Sequence, residues 1–278
     1  MELIQNSDDN SYAEMKVPRM TITYKPGCLR IDTNEIGFSK SDVEAICSIG
    51  QSTKVGSKKH SEATGEKGVG FKSVFGVSDR VFITSGHYSF MFSNTTSLDR
   101  LAPTWAEFPE SPTAGHTTIL LYLYPDWDAK VAAELQNLDA TVLLFLRQLQ
   151  EINVCISPSS GPPISRRLAR QTCSPDDSGL VSLTLYPNDI SHVVYHHAFE
   201  SPVGAKWRGQ SNKVISLAFP SNIEYYHSTE APAHAHQQVY AYLPIRDYGF
   251  KVITSLFPCH VILLSYSPPL KWLERCTN

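Results

Sequence analysis

The 278-residue chain lacks most of the features that would assign it at a glance. Its six cysteines (Cys28, Cys47, Cys155, Cys173, Cys259 and Cys276) include no C-x-x-C pair, which removes local support for a zinc knuckle or a thioredoxin-type motif. Six thiols over this length are also too sparse for a disulfide scaffold, so the expectation is a reduced, intracellular chain, cytoplasmic or nuclear. No apolar run reaches the roughly 18 residues that a membrane-crossing helix needs. The acidic, polar start MELIQNSDDN does not read as a secretory leader. No G-x-S-x-G elbow is present to suggest a hydrolase. Charge of either sign is modest: 24 Lys+Arg stand against 27 Asp+Glu, a net −3. That balance argues against a broad footprint for nucleic acid or an anionic membrane, so neither is an expected partner.

What is present is apolar substance and punctuation. Hydrophobic residues make up 42% of the chain, enough to bury a core, and its length suggests about two domains. The start, to about residue 14, reads as helical, with Leu3 and Ile4 on an apolar side. Two β-like runs at 20–24 and 28–32 flank Lys25-Pro26-Gly27 and predict a hairpin. Ser39 and Asp42 form a capping-box pattern opening a helix over 42–49. A helical stretch to about Val77 follows the glycines at 65–70, then strands at 80–84, 88–92 and 117–124. Residues 128–150 give the longest helical pattern, with Leu143, Leu144, Leu146 and Leu149 near one face, and 152–156 reads as a strand. SPSSGPP at 157–163 is the clearest composition break, so 158–179 reads as a linker. Residues 1–157 then form one domain and 180–278 a second, β-rich one.

Three short stretches carry candidate chemistry. In the first, Glu2, Asn6 and Asp9 stand at i, i+4 and i+7 and share one face of a helix. Asn offers Mg²⁺ a neutral oxygen while the ion keeps waters and substrate phosphates, and a Glu one turn away can polarise such a water. A solvated polar helix face explains the same spacing. In the second, Asp32-Thr-Asn-Glu-Ile-Gly37-Phe38, a carboxylate at a strand end can accept from an exocyclic amine such as that of adenine. An ordinary Asx-type turn is the plainer account. The third, Gly65-Glu-Lys-Gly68-Val69-Gly70-Phe71-Lys72-Ser73, can present consecutive backbone N–H groups to an anion. Five lysines against two glutamates over 51–72 make this segment locally basic in an acidic chain. It is neither a P-loop, since Phe71 precedes Lys72-Ser73, nor a dinucleotide fingerprint, since Ser73 stands where the third glycine belongs. His234-Ala-His236 could face one way on a strand, but it lacks an acidic or Cys partner at characteristic spacing.

Taken in order, these stretches resemble the GHKL ATPases, the family of gyrase, the ninety-kilodalton heat-shock chaperone, histidine kinases and MutL. Glu2-Leu-Ile-x-Asn6-Ser-x-Asp9 looks like the chaperone branch's first nucleotide box. Gly65-x-x-Gly68-Val-Gly70-Phe71-x-Ser73 with Val77-Ser-Asp79-Arg-Val looks like its glycine box and following strand, and Gly115-His-Thr117-Thr-Ile-Leu like its late threonine strand. Asn34-Glu-Ile-Gly-Phe and Ile49-Gly-Gln-Ser-Thr-Lys54 are closer to the sacsin and NO VEIN subgroup. The resemblance covers about residues 1–157 and, more faintly, 239–250.

It implies a two-layer α/β (α+β) sandwich, helices on a mixed, mainly antiparallel sheet of the Bergerat type, that encloses Mg-ATP. Glu2 would activate water and Asn6 would hold Mg²⁺. Asp9 would line the pocket, with Asp32 or Asn34 offered to adenine and Gly37 and Phe38 flanking the base. Gly65, Gly68, Val69, Gly70 and Phe71 would cradle phosphate, Thr117 would help fix adenine, and Ser52, Thr53 and Lys54 would lie in or near a lid. Aligned on Gly37, Thr33 occupies the position of the family's adenine-binding Asp, and Glu35 that of its first glycine. Met1 directly precedes Glu2, so the resemblance also implies an N-terminally truncated member lacking the first strand. Two readings follow: slow ATP hydrolysis driving a chaperone-like switch on a protein client or partner domain, or a degenerate, inactive nucleotide-binding or interaction scaffold.

Overall fold

Lys25-Pro26-Gly27 turns the chain as its composition predicts: β1 (Arg19–Lys25) pairs antiparallel with β2 (Cys28–Thr33), and Gly27 takes φ +74°. The computed structural model describes residues 1–47, 71–93, 103–173, 181–200, 212–220, 237–241, 243–250 and 253–257. They form a mixed α/β structure with one large, mainly antiparallel sheet and few helices. Beyond β2 come β6 (Thr117–Leu123), β3 (Ser78–Ser85), β4 (Tyr88–Ser93) and the short edge β5 (Thr104–Trp105). The free side of β1 takes β7 (Glu151–Ile156) in parallel. The sheet then runs on through β8 (Ile164–Thr172), β9 (Val181–Tyr186), β10 (Ile190–Glu200) and β11 (Asn212–Pro220). It ends with β14 (Ile253–Phe257), β12 (Gln237–Ala241) and β13 (Leu243–Phe250).

Strand alternation sorts the side chains. Met20, Ile22 and Tyr24 on β1 share a face with Ile31, Leu121, Val81 and Ile83 across one flank and with Ile152, Val154 and Ile156 across the other. Ile4 of α1 (Glu2–Asp8), Val43 of α2 (Lys40–Cys47), Phe71, Val74 and Phe75 of a 3-10 helix (Phe71–Gly76), and Leu135 of α3 (Pro125–Gln136) join the same core. Each such large apolar side chain, once buried, stabilises by about 1.5–3 kcal/mol before entropy is counted. The capping box at the start of α2 forms: the Ser39 amide donates to Asp42 Oδ2 at 2.8 Å, and the Asp42 amide to Ser39 Oγ at 3.3 Å.

Three elements differ from the sequence reading. The first helix ends at Asp8 instead of reaching about residue 14, because the Asp8 carboxylate is taken by amides from a distant loop and the chain turns away. The helix expected over 128–150 is broken. α3 stops at Gln136, and Asp139 opens a separate 3-10 turn (Ala140–Leu143) by accepting from the Thr141 amide at 2.9 Å. Arg166 donates to the Leu135 carbonyl at 2.6 Å, and Arg170 to those of Leu143 and Leu146, so strand β8 satisfies the carbonyls that the broken helix leaves open. The leucines at 143, 144, 146 and 149 are buried as expected, but not as one helical stripe. The stretch 158–179, read as a linker, carries β8, which pairs with both β7 and β9.

Candidate functional site

The core-facing ends of three adjacent strands finish in hydroxyls. Thr33 closes β2 and lies opposite Thr117, the first residue of β6, while Ser85 closes β3. Ser85 Oγ and Thr117 Oγ1 are 2.6 Å apart, and the Phe38 amide donates to Ser85 Oγ at 2.8 Å. Ser7, on α1, sits over the same spot with its Oγ 3.3 Å from Thr33 Oγ1. All four are buried, Ser7 at 5% exposure, Thr33 at 4%, Ser85 at 1% and Thr117 at 3%. Gly37 adopts φ +92°, and a Cβ built there would lie 3.4 Å from Ser85 Oγ. The positive φ that suits glycine at 37 turns the chain so that the Phe38 amide meets the Ser85 hydroxyl.

Hydrogen counting leaves this cluster with capacity. Ser7 spends its hydrogen on the Leu3 carbonyl at 2.9 Å, so in the Ser7–Thr33 contact Thr33 donates. Ser85 and Thr117 have two hydroxyl hydrogens and use one between them. Among the described residues nothing accepts the other.

α1 brings the first box to the cluster. Its inner side buries Ile4, Ser7 and Asp8, and it lies against the 3-10 helix Phe71–Gly76, which begins immediately after Gly70. Phe71 is buried among Phe75 and Phe92 at ring separations of 6.3 and 6.1 Å, which anchors the end of the glycine segment beside α1. Asn6 is half-buried and Glu2 exposed, and neither side chain has a hydrogen-bond partner among the described residues. Ser52, Thr53, Lys54, Gly65, Gly68, Val69 and Gly70 lie outside the described residues, as do His234 and His236.

The remaining candidates have other duties. Asp9 is half-buried and ion-paired to Arg147. Asp32 neighbours Thr33 on β2 and so faces the opposite side of the sheet. There it accepts from Arg30 Nε and Nη2, each at 2.9 Å, from Thr118 at 2.7 Å and from Thr113 at 2.9 Å. Burial opposes its charge, but these hydrogen bonds and the Arg30 guanidinium outweigh burial and hold the carboxyl below its usual range. Asn34 closes the foot of the hairpin: its Oδ1 accepts from the Arg19 amide at 2.8 Å and its Nδ2 donates to the Val17 carbonyl at 2.9 Å. Neither residue joins the hydroxyl cluster.

Two contributions were not singled out from the sequence. Ser85 ends a strand in front of a Ser-Gly turn, and only pairing shows that it meets Thr117 and Gly37. Asp8 accepts the amides of Arg147 at 2.9 Å, Gln148 at 2.7 Å and Leu149 at 2.8 Å, and so fixes α1 to the approach to β7. The adjacent carboxylates at 8 and 9 were the available signal. Among the described residues no three His, Cys, Asp or Glu side chains converge as a metal cluster, and no helix is long and apolar enough to cross a membrane.

No family model matches the chain. Over 92 residues, 33% of its length, it is 44% identical to Protein NO VEIN of Arabidopsis thaliana. Those residues amount to 3% of that protein, so the chain aligns with a small part of a much longer relative.

Proposed function

We propose that residues 1–157 are a Mg-ATP-binding module of the GHKL type, with helices on a mainly antiparallel sheet in the Bergerat manner, related to the NO VEIN subgroup. The observation that carries this reading is the meeting of its separate motifs. The helix bearing Asn6 lies against the segment that continues the glycine box, and its Ser7 touches the strand end opposite Thr117. Motifs spread over about 110 residues, from Asn6 to Thr117, would not need to converge if each were an ordinary turn or surface helix. The residues also suit the group they would hold. Asn6 is a neutral oxygen ligand with no competing partner among the described residues, on a helix whose far end is fixed by Asp8. Mg²⁺ would supply charge neutralisation for the phosphates. Glu2 would hold the water-activating position, Asn6 the cation, the 65–71 segment the phosphates, and the hydroxyl cluster the base.

A second reading, binding without turnover, draws on Glu2 being exposed in the first turn of α1, where nothing described fixes its carboxylate. Calorimetric titration of the full chain with ATP, with and without Mg²⁺, alongside phosphate release, separates the two. Mg-dependent binding with slow turnover that Glu2→Ala abolishes while binding persists is the expected result. Asn6→Ala should weaken Mg-ATP at least tenfold, about 1.4 kcal/mol. Absence of binding overturns both readings.

A further inference from the structure

We infer that Asp8 and Arg170 are positioning residues for the proposed Mg²⁺ ligand Asn6: they grip one backbone segment from two sides and through it fix the helix that carries Asn6. The inference rests on the nucleotide reading above and adds to it two residues that no motif names. α1 has seven residues, about two turns, and a helix that short has no stability of its own. Its N-terminal end carries no side-chain cap, and Glu2 there is exposed. Ile4 packs it on the core, a contact without direction. Apart from the long Ser7–Thr33 contact, its directional ties to other elements gather at the C-terminal end.

Asp8 Oδ1 accepts the amides of Gln148 and Leu149, and Oδ2 that of Arg147. Beside it, the Tyr12 hydroxyl donates to the Ser7 carbonyl at 2.6 Å, and Gln148 Nε2 to the Asn10 carbonyl at 2.7 Å. The segment that meets Asp8 runs between the 3-10 turn Ala140–Leu143 and β7. Leu144, Phe145, Leu146 and Leu149 bury their side chains there outside any strand, so the backbone needs partners from elsewhere. Arg170 Nη1, arriving from β8, donates to the Leu143 carbonyl at 3.1 Å and to that of Leu146. An anion thus collects the N–H groups of the segment and a cation its carbonyls, and charge strengthens each bond. Burial pushes the Arg170 guanidinium down, and the Asp8 charge opposes that shift, so the two grips also act on each other. Asn6 stands two positions before Asp8 on the same helix. Slippage at Asp8 would carry the Asn6 amide oxygen out of place, and a displacement of about 1 Å is enough to spoil a ligand position.

The Mg²⁺ dependence of ATP affinity reads Asn6 directly, so the full chain is titrated with ATP with and without Mg²⁺, at a temperature where circular dichroism shows each variant folded. Asp8→Asn keeps the shape but turns one oxygen into a donor facing an amide. It should lose about fivefold in affinity for Mg-ATP and less than about twofold for Mg-free ATP. Arg170→Met should do the same, and Arg170→Lys, which restores a cationic donor, should recover most of the loss. In an Asn6→Ala background, Asp8→Asn should add less than about twofold, because it acts through Asn6. Losses that multiply in the double variant, or that are equal with and without Mg²⁺, mark a merely structural role and overturn the inference. Unchanged Mg-ATP affinity in folded Asp8→Asn, or a Lys variant no better than Met, overturns it as well. In each of these cases wild-type binding leaves the nucleotide reading intact. A wild-type chain that binds no ATP, or binds it without regard to Mg²⁺, overturns that reading and this one with it. If Asp8→Asn does not fold, Arg170→Met and its Lys rescue pass through the same cycle and decide.

Discussion

At the scale of single residues, adjacent positions have opposite fates. Asp8 is 2% exposed and accepts three consecutive backbone amides, whereas Asp9 takes Arg147 at the rim. Removing the Asp8 carboxylate strands buried donors. Asp8→Ala should therefore cost about 2–4 kcal/mol in urea denaturation, and Asp9→Ala less than about 1 kcal/mol. Gly37→Ala meets both an unfavourable φ of +92° and the Ser85 hydroxyl, so it should cost about 1–2 kcal/mol and weaken any ligand at the hydroxyl cluster. The candidate site was partly legible at this scale. The sequence motifs point to Asn6, Gly37, Phe38 and Thr117, and the fold gathers Gly37, Phe38 and Thr117 around Ser85 and sets Asn6 on the neighbouring helix. A carboxylate such as Asp32 suits an amine, but in a strand a shift of one position reverses the face. Only the pairing of Thr33 with Thr117 decides which residue faces inward.

At the scale of elements, local chemistry was readable and interruption was not. The hairpin turn and the capping box of α2 formed from residues within a few positions of each other. The break between α3 and Ala140–Leu143 depends on Arg166 and Arg170 arriving from β8, which the local leucine spacing does not contain. The outer face of the sheet carries a further consequence. Glu151 lies between Arg19 at 2.6 Å and Arg167 at 2.7 Å. Although burial opposes its charge, these partners and Asn153 hold its carboxyl below the usual range, as Arg30 does for Asp32. A lowered folded-state pKa contributes stability that is present above the unfolded values, 4.5 for Glu151 and 3.8 for Asp32, and is lost as pH falls through the folded ones. Denaturation midpoints measured from pH 6 down to pH 2 should fall steeply below about pH 4.5. Glu151→Gln should start from a lower plateau and show a shallower slope.

At the scale of the molecule, the composition break at 157–163 suggested a boundary, and the hydrogen bonding runs across it. Proline and glycine there shape a connection between paired strands, and composition does not distinguish that from a linker. Ending the chain at residue 157 would bare the β7 edge and remove Leu168, the Arg166 that satisfies the Leu135 carbonyl of α3 and the Arg170 that satisfies those of Leu143 and Leu146. That piece should melt at least several degrees lower than the full chain in calorimetry, or associate through its open edge in sedimentation. Equal melting would show that the first unit stands without β8.

The parallel seam between β1 and β7 also sets an order of assembly. As the polypeptide leaves the ribosome, the β1–β2 hairpin can zip at once, but one flank must wait until Glu151–Ile156 has been synthesised. During that interval an apolar ribbon bearing Met20, Ile22 and Tyr24 has no neighbour on that side, which exposes it to misassociation or chaperone capture.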